Sequence, residues 1–357
     1  MVVEEKLTGR PLTSVLALVA VACLGLPGCR PSAGGQSTAQ ATRAAQAAPA
    51  NQAAPAAPAT PTAPAARNQP VFTFGVIADV QYADAMPQGN RYYRDSAEKL
   101  KACVAHLATL KPDFVVNLGD TVDRDLVSYD TVLPIFEQLP SPVYFVLGNH
   151  DHNMPLAQRP IVLKKLGLDR LGGGKGYYDF ARDGWRLVVL NGYAISLGAV
   201  APDARKAGEA ILADLRQKGA PNAQSYNGAV GPDQRRWLDR TLANADDARE
   251  KTIVICHHPA YPVGDCTLLD HDEVRAVLEA HRSVVAYLCG HNHSGGYAIK
   301  DGIHYLTFMG MIETKDTAYA LAEVYPDRLQ VTGFGREQSR VLAISSPAAS
   351  PVGARLR

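Results

Sequence analysis

Between residues 71 and 337 the chain alternates short apolar runs with longer stretches whose apolar positions recur at helical spacing. The runs are VFTFGVIA at 71–78, FVVNL at 114–118, VYFVL at 143–147, WRLVVLN at 185–191, TIVIC at 252–256, VVAYLC at 284–289 and IHYLTFM at 303–309. They are apolar at successive rather than alternate positions, which predicts strands covered on both faces. Helical spacing predicts helices over 95–110, 130–139, 232–243 and 272–281. The third opens on Pro232-Asp233, with a proline in the first turn and an acid near the positive end of the dipole. Strands alternating with helices predict an α/β domain over 71–337.

Polar residues fall at the C-terminal ends of these runs: Asp79 and Gln81, Asp120 and Asp123, Asn149 to His152, His257 and His258, His291 and His293. Open α/β sheets bind ligands outside the carboxyl ends of their strands, where rigid strands hold converging loops. Six of the ten histidines lie in three of these loops. A lone GDxxD is often a strand turn and a lone HxH often a surface loop, but five such groups at successive strand ends point to one metal site.

The flanks differ. Residues 1–28 carry Lys6 and Arg10 before an apolar run over 11–26, too short to span a membrane, and predict an export signal. The run ends in Leu26-Pro27-Gly28-Cys29, which resembles the bacterial lipobox, although Pro27 is unusual there. The resemblance implies lipidation of Cys29 and a lipoprotein of the bacterial cell envelope, facing the periplasm or the outside. Residues 29–70 are Ala, Pro, Gln, Thr and Ser with few large apolar residues, and predict a disordered tether. Residues 338–357, again rich in Ser, Ala and Pro, predict a frayed tail.

Composition narrows the function. Lys plus Arg number 36 against 35 acids, a net charge of +1, so no basic field holds a nucleic acid coat. Six cysteines in 357 residues make no disulfide framework. Cys103, Cys256 and Cys289 read as core thiols, and Cys266 as a thiol free to pair in an oxidising compartment.

In order, the chemistry-bearing motifs are Asp79-Val80-Gln81, Gly119-Asp120-Thr121-Val122-Asp123-Arg124, Gly148-Asn149-His150-Asp151, His257-His258-Pro259 and Gly290-His291-Asn292-His293. This series resembles the calcineurin-like metallophosphoesterase family, with its D-x-H, G-D-x-x-D-R, G-N-H-D/E, H and G-H-x-H. The resemblance implies a four-layer αββα sandwich, two mixed sheets flanked by helices, with a two-metal centre at one edge. Carried over position by position, Asp120 bridges both metals, Asp79, Gln81 and His293 complete one site, and Asn149, His257 and His291 complete the other. His150 is implied as the catalytic histidine, Asp151 as the residue holding its tautomer, and Asp123 and Arg124 as residues orienting ligands or partners. His152 and His258 are expected to pack the loops or touch a distal phosphate. Only Asp79 and Asp120 of the seven ligands are anionic, so two divalent ions keep about two positive charges for a phosphate oxyanion.

The chain departs from D-x-H at Gln81, where an amide replaces an imidazole. Harder oxygen ligation favours manganese, with magnesium, ferrous iron or zinc as alternatives. Residues 74–84, 91–94, 226–230 with Gln234 and Trp237, 295–297 and 311–314 resemble the manganese-dependent ADP-ribose/CDP-alcohol diphosphatase branch. That branch cleaves the phosphoanhydride bond of nucleoside-diphosphate adducts. Tyr82, Tyr93 and Tyr297 are expected to stack on base or ribose and Arg94 to meet the second phosphate, with packing as the other reading of the tyrosines. The 84–90 loop is shorter and less aromatic than in animal members, leaving base preference open. Residues 199–225 are expected as a lid or substrate wall. A cyclic-nucleotide or broad phosphodiesterase on the same centre, and a tethered lipoprotein that binds phosphate compounds without turning them over, remain as alternatives.

Overall fold

A computed structural model describes residues 69–344. The export signal, nearly all of the tether and Cys29 lie outside the described residues, as does 345–357. The strands are β1 (Phe72–Ile77), β2 (Phe114–Asn117), β3 (Val143–Phe145), β4 (Tyr178–Arg182), β5 (Trp185–Val189), β6 (Lys251–Ile255), β7 (Val284–Cys289), β8 (Ser294–Lys300), β9 (Ile303–Met309), β10 (Ala318–Val324), β11 (Arg328–Gly335) and β12 (Arg340–Ala343). The helices are α1 (Ser96–Leu110), α2 (Tyr129–Phe136), α3 (Arg159–Lys165), α4 (Pro202–Gln217), α5 (Pro232–Ala248) and α6 (His271–Glu279). Among the described residues no helix is long and apolar enough to cross a membrane.

Two six-stranded mixed sheets form, in the orders β12-β11-β10-β1-β2-β3 and β4-β5-β6-β7-β9-β8. Strands β1, β2 and β3 run parallel in the first, and β5, β6, β7 and β9 in the second. Successive side chains of a strand point to opposite faces, and each face here meets a different apolar layer. Ile253 and Ile255 join the core shared with the first sheet, while Val254 and Cys256 meet Leu238 and Leu242 of α5 and Val274 and Leu278 of α6. Leu187 and Val189 against Val188 and Leu190, and Ala286 and Leu288 against Tyr287 and Cys289, repeat the division. Phe72 meets Trp185 edge-on at 6.2 Å, tying the two sheets together. Leu100, Cys103, Val104 and Leu107 of α1 close the first sheet's outer side. The result is the αββα arrangement expected. Cys103, Cys256 and Cys289 are buried free thiols, and Cys266, half-buried, is also free.

The C-terminal boundary needs correction. Residues 340–343, expected to fray, form β12 antiparallel to β11, with Leu342 and Ile344 buried in the core. The average Ser/Ala/Pro content hides one large apolar residue, Leu342, which faces inward while Val341 and Ala343 face out. The 199–225 segment carries α4, whose Gly208 lies directly against the Ser196 backbone.

Candidate active site

The five motif loops leave β1, β2 and β3 of one sheet and β6 and β7 of the other, at the same edge. Backbone bonds lace them together: Gln81 N–H donates to Asp120 O (2.8 Å), Ile312 N–H to Asp79 O (2.9 Å) and Gly290 N–H to His257 O (3.0 Å). Four of the seven proposed ligands sit in left-handed backbone, Asp79 (φ 53°), Gln81 (43°), Asp120 (53°) and His291 (65°). Non-glycine residues there cost of order 1–3 kcal/mol each and persist only where the surroundings over-determine them, which is typical of ligand clamps. Glycine at 148 is a contact requirement, since a Cβ there would lie 2.0 Å from Asp120 Oδ1.

The side chains converge in two groups that share Asp120. His257 Nε2 lies 3.2 Å from Asp120 Oδ2, 3.2 Å from Asn149 Oδ1 and 3.1 Å from His291 Nδ1. On the other side His293 Nε2 is 3.4 Å from Asp79 Oδ1, and Gln81 Nε2 is 3.0 Å from both Asp120 Oδ2 and His293 Nε2. Asp79, Gln81, Asp120 and His257 are fully buried.

Each imidazole has its outward nitrogen claimed, which sets the inward one. His257 Nδ1–H donates to Leu118 O (2.9 Å), so Nε2 presents a lone pair inward. The Asn227 amide nitrogen donates to Asn222 O and Asp265 O, so its Oδ1 accepts from His291 Nε2–H (3.0 Å) and His291 Nδ1 is the lone-pair atom. His293 Nδ1–H donates to the Glu313 carboxylate (2.8 Å), leaving Nε2 free inward. Asn227 and Glu313 thus perform the orienting task that metal-binding histidines need. Asp123 and Arg124, expected partly for that task, do not touch these rings.

This donor set fits a pair of divalent cations. Three imidazole nitrogens, two carboxylates and an Asn oxygen turn inward on one another, a set that favours positive charge between them. Gln81 Oε1 is buried without a partner, and rotating the amide would bring that oxygen to the Asp120–His293 side. The field points the same way. Burial opposes charge on His257, but the Asp120 carboxylate outweighs it and pushes the ring up to about 9. Asp79 does the same to His293, also to about 9, against its burial. Burial, then His258 and His257, hold His291 well below the usual range.

His150 Nδ1 contacts Asp123 Oδ1, whose other oxygen accepts from Arg124 Nε–H (3.0 Å). That chain leaves His150 Nε2 for the cleft. The role expected of Asp151 therefore belongs to Asp123. Asp151, fully buried, accepts instead from the N–H groups of Asp120, Thr121 and Gly148 (each 3.0 Å) and from the Tyr129 hydroxyl (2.7 Å). It is a clamp between the β2 and β3 loops, because a helical turn at 150–152 points it away from its neighbour.

A cleft of about 630 Å³ opens over the centre, lined by Gln81, Asp120, Asn149, His150, His291 and His293 and walled by Arg91, Arg159, Tyr193, Leu197 and Tyr226. Neither Tyr82, Tyr93, Arg94 nor Tyr297 lines it. Tyr82 packs on the core and Tyr93 is buried under the Arg124 guanidinium (4.7 Å). Arg94 pairs outside with Asp84 (2.6 Å), and Tyr297 bonds His304 on the β8–β9 hairpin (2.9 Å). The ring beside the centre is Tyr226, 5.6 Å from His291. Of the 199–225 segment Ser225 reaches the cleft, and Leu197 and Gly198 just before the segment line it as well. His258 is buried beneath, with Nε2 3.4 Å from Tyr226 O, and burial holds it down to about 3. Glu313 obeys the strand-end rule that located the other groups, since it follows the β9 apolar run. Asn227 and Arg159 carry no such signal.

Comparison with known proteins agrees with this geometry. Residues 72–295 match the calcineurin-like phosphoesterase family model. The chain is 31% identical to a manganese-dependent ADP-ribose/CDP-alcohol diphosphatase of Xenopus tropicalis, over 78% of this chain and 96% of that protein. It is 34% identical to the protein of that name from Arabidopsis thaliana, over 77% and 97%. Among solved structures, a dimetal phosphatase from Danio rerio is 30% identical, with a TM-score of 0.71, covering 78% of this chain and all of that one. The chain therefore belongs to the calcineurin-like phosphoesterase family and is a hydrolase of that family.

Proposed function

We propose that the protein hydrolyses the phosphoanhydride bond of nucleoside-diphosphate adducts, ADP-ribose and CDP-alcohols, at a centre holding two divalent ions, manganese first. The observation that carries this is the two groups of ligand-type side chains that share Asp120 on the floor of a cleft of about 630 Å³. Asp79, Gln81, Asp120 and His293 would hold one ion, and Asp120, Asn149, His257 and His291 the other. When bound, the ions supply Lewis-acid charge to the phosphoryl group. His150, held at Nδ1 by Asp123, turns Nε2 toward the cleft and gives a proton to the departing phosphate oxygen. Tyr226 offers a face for base or ribose beside His291.

Purified protein with Mn²⁺, tested on ADP-ribose, CDP-choline, cyclic AMP and a nitrophenyl phosphate ester, should prefer the first two. Preference for cyclic AMP or the ester overturns the substrate assignment, and no turnover at all favours the binding lipoprotein. We also propose export and lipid attachment at Cys29, on the strength of Leu26-Pro27-Gly28-Cys29 closing an apolar run. Mass spectrometry of the mature N-terminus tests it, and an unmodified cysteine or a start elsewhere refutes it.

A further inference from the structure

Arg159, the first residue of α3, stands in the wall of the cleft with an unusual set of partners. Its Nε–H donates to Met154 O (3.0 Å) and its Nη1 to Gly198 O (2.6 Å). Both anchors are neutral carbonyls, and no carboxylate lies within 4.0 Å of it among the described residues. The other arginines near the centre each have a carboxylate at hand: Arg124 bonds Asp123 at 3.0 Å, and Arg91 lies 4.0 Å from Glu313, which is bonded to His293. Its neighbour His152 answers none of the charge, since burial and Arg159 itself hold that imidazole down to about 4. Both ring nitrogens of His152 are shut off from solvent without a partner. Arg159, His152 and Tyr193 also border an adjoining, mostly apolar cavity of about 540 Å³.

A guanidinium has five N–H donors in a rigid fork, and two of them are spent on the anchors. The remaining ones, with the full positive charge, belong to a half-buried side chain that is pinned in direction. Such a group is pre-organised for one anion and gains most from an oxyanion with two oxygens to offer.

We propose that Arg159 binds the second phosphoryl group of the substrate, the one that leaves, and so commits the site to diphosphates over single-phosphorus esters. This rests on the diphosphate reading above. One phosphate lies over the Asp120 clusters, and the other lies against Arg159, with the alcohol or sugar toward the adjoining cavity.

The test uses the full chain loaded with Mn²⁺ and compares Arg159→Gln and Arg159→Lys with wild type on CDP-choline and on bis(4-nitrophenyl) phosphate. Loss of a charge-assisted hydrogen bond predicts a fall of roughly 10–100-fold in kcat/KM for CDP-choline. The fall on the ester should be at least tenfold smaller. Arg159→Lys, which keeps the charge and loses the fork, should fall between wild type and Arg159→Gln. If Arg159→Gln does not fold, because the Met154 and Gly198 carbonyls need the guanidinium, the Lys variant gives the same comparison. Equal losses on both substrates, or no loss on CDP-choline, overturn this assignment while the functional reading stands. A wild type that cleaves the ester and ignores CDP-choline overturns both.

Discussion

Removing the Asp151 carboxylate strands four donors at once, three backbone N–H groups and the Tyr129 hydroxyl, in a place closed to water. Each buried donor left without a partner costs about 1–3 kcal/mol, part of which relaxation recovers. Asp151→Ala should therefore lower unfolding free energy by about 3 kcal/mol or more, measured by urea denaturation, and Asp151→Asn should restore only part. His150→Ala is expected to behave in the opposite way, with stability and bound manganese retained and the rate down by roughly 10²–10⁴-fold. Elemental analysis beside turnover separates the two, and a His150 variant that loses metal but keeps its rate would reverse its assignment. The contrast follows from position: Asp151 is fully buried in the loop junction, whereas His150 lies partly open on the cleft.

At the scale of elements, most strands that feed the site were legible because they are continuous apolar runs, and most that brace it were not. β10, AYALAEV, is built of helix-favouring residues yet pairs with β1 on one side and β11 on the other. Tertiary burial overrides a local preference worth a few tenths of a kcal/mol per residue. β8 begins Ser-Gly-Gly and β12 is four residues long, so neither offered a periodic signal. A chain ending at Gln338 should lose about 3–5 kcal/mol, because Leu342 and Ile344 leave the core and β11 becomes an open edge. Denaturation midpoints check the loss, and an unchanged midpoint would return residues 340–344 to the tail. Lys99 ties α1 to the loop after β9, donating to Thr314 O (3.0 Å) and Met311 O. Burial first, and Arg336 next, push its ammonium down to about 8, against about 10.4 in an unfolded chain. Between those values the unfolded chain holds a proton that the folded one has released, so stability rises with pH across that window. Allowing for solvent screening, the rise is about 1–2 kcal/mol. Lys99→Met should abolish it, read as the difference between wild-type and variant unfolding from pH 7.5 to 10, which cancels the tyrosines.

Across the whole molecule, the two sheets act as one rigid frame that holds strained loops at their common edge. The loops hold carboxylates and ring nitrogens against one another at 3.2–3.4 Å, an arrangement that a bound cation favours. Manganese at a hundred times its dissociation constant should add about 2.7 kcal/mol of stability for each ion held. Calorimetry with and without a chelator measures this, and Asp120→Ala should remove both the increment and all turnover. A melting temperature indifferent to manganese would count against a metal centre.

The amino-acid order alone determined the α/β class and the gathering of polar residues at one sheet edge. It could do so because parallel strands buried on both faces must be continuous apolar runs, and whatever follows them emerges on the same side. Five ordered motifs made the family legible as well. Only the tertiary structure decided who holds whom: Asp123 rather than Asp151 for His150, Asn227 for His291, Glu313 for His293, and Arg159 in the cleft wall in place of Arg94. The histidine contacts to Asn227 and Glu313 join residues 64 and 20 positions apart, and neither partner need occupy a periodic place in the chain. Side-chain direction at a loop follows from backbone angles that packing imposes, and hydrophobic pattern carries no record of them.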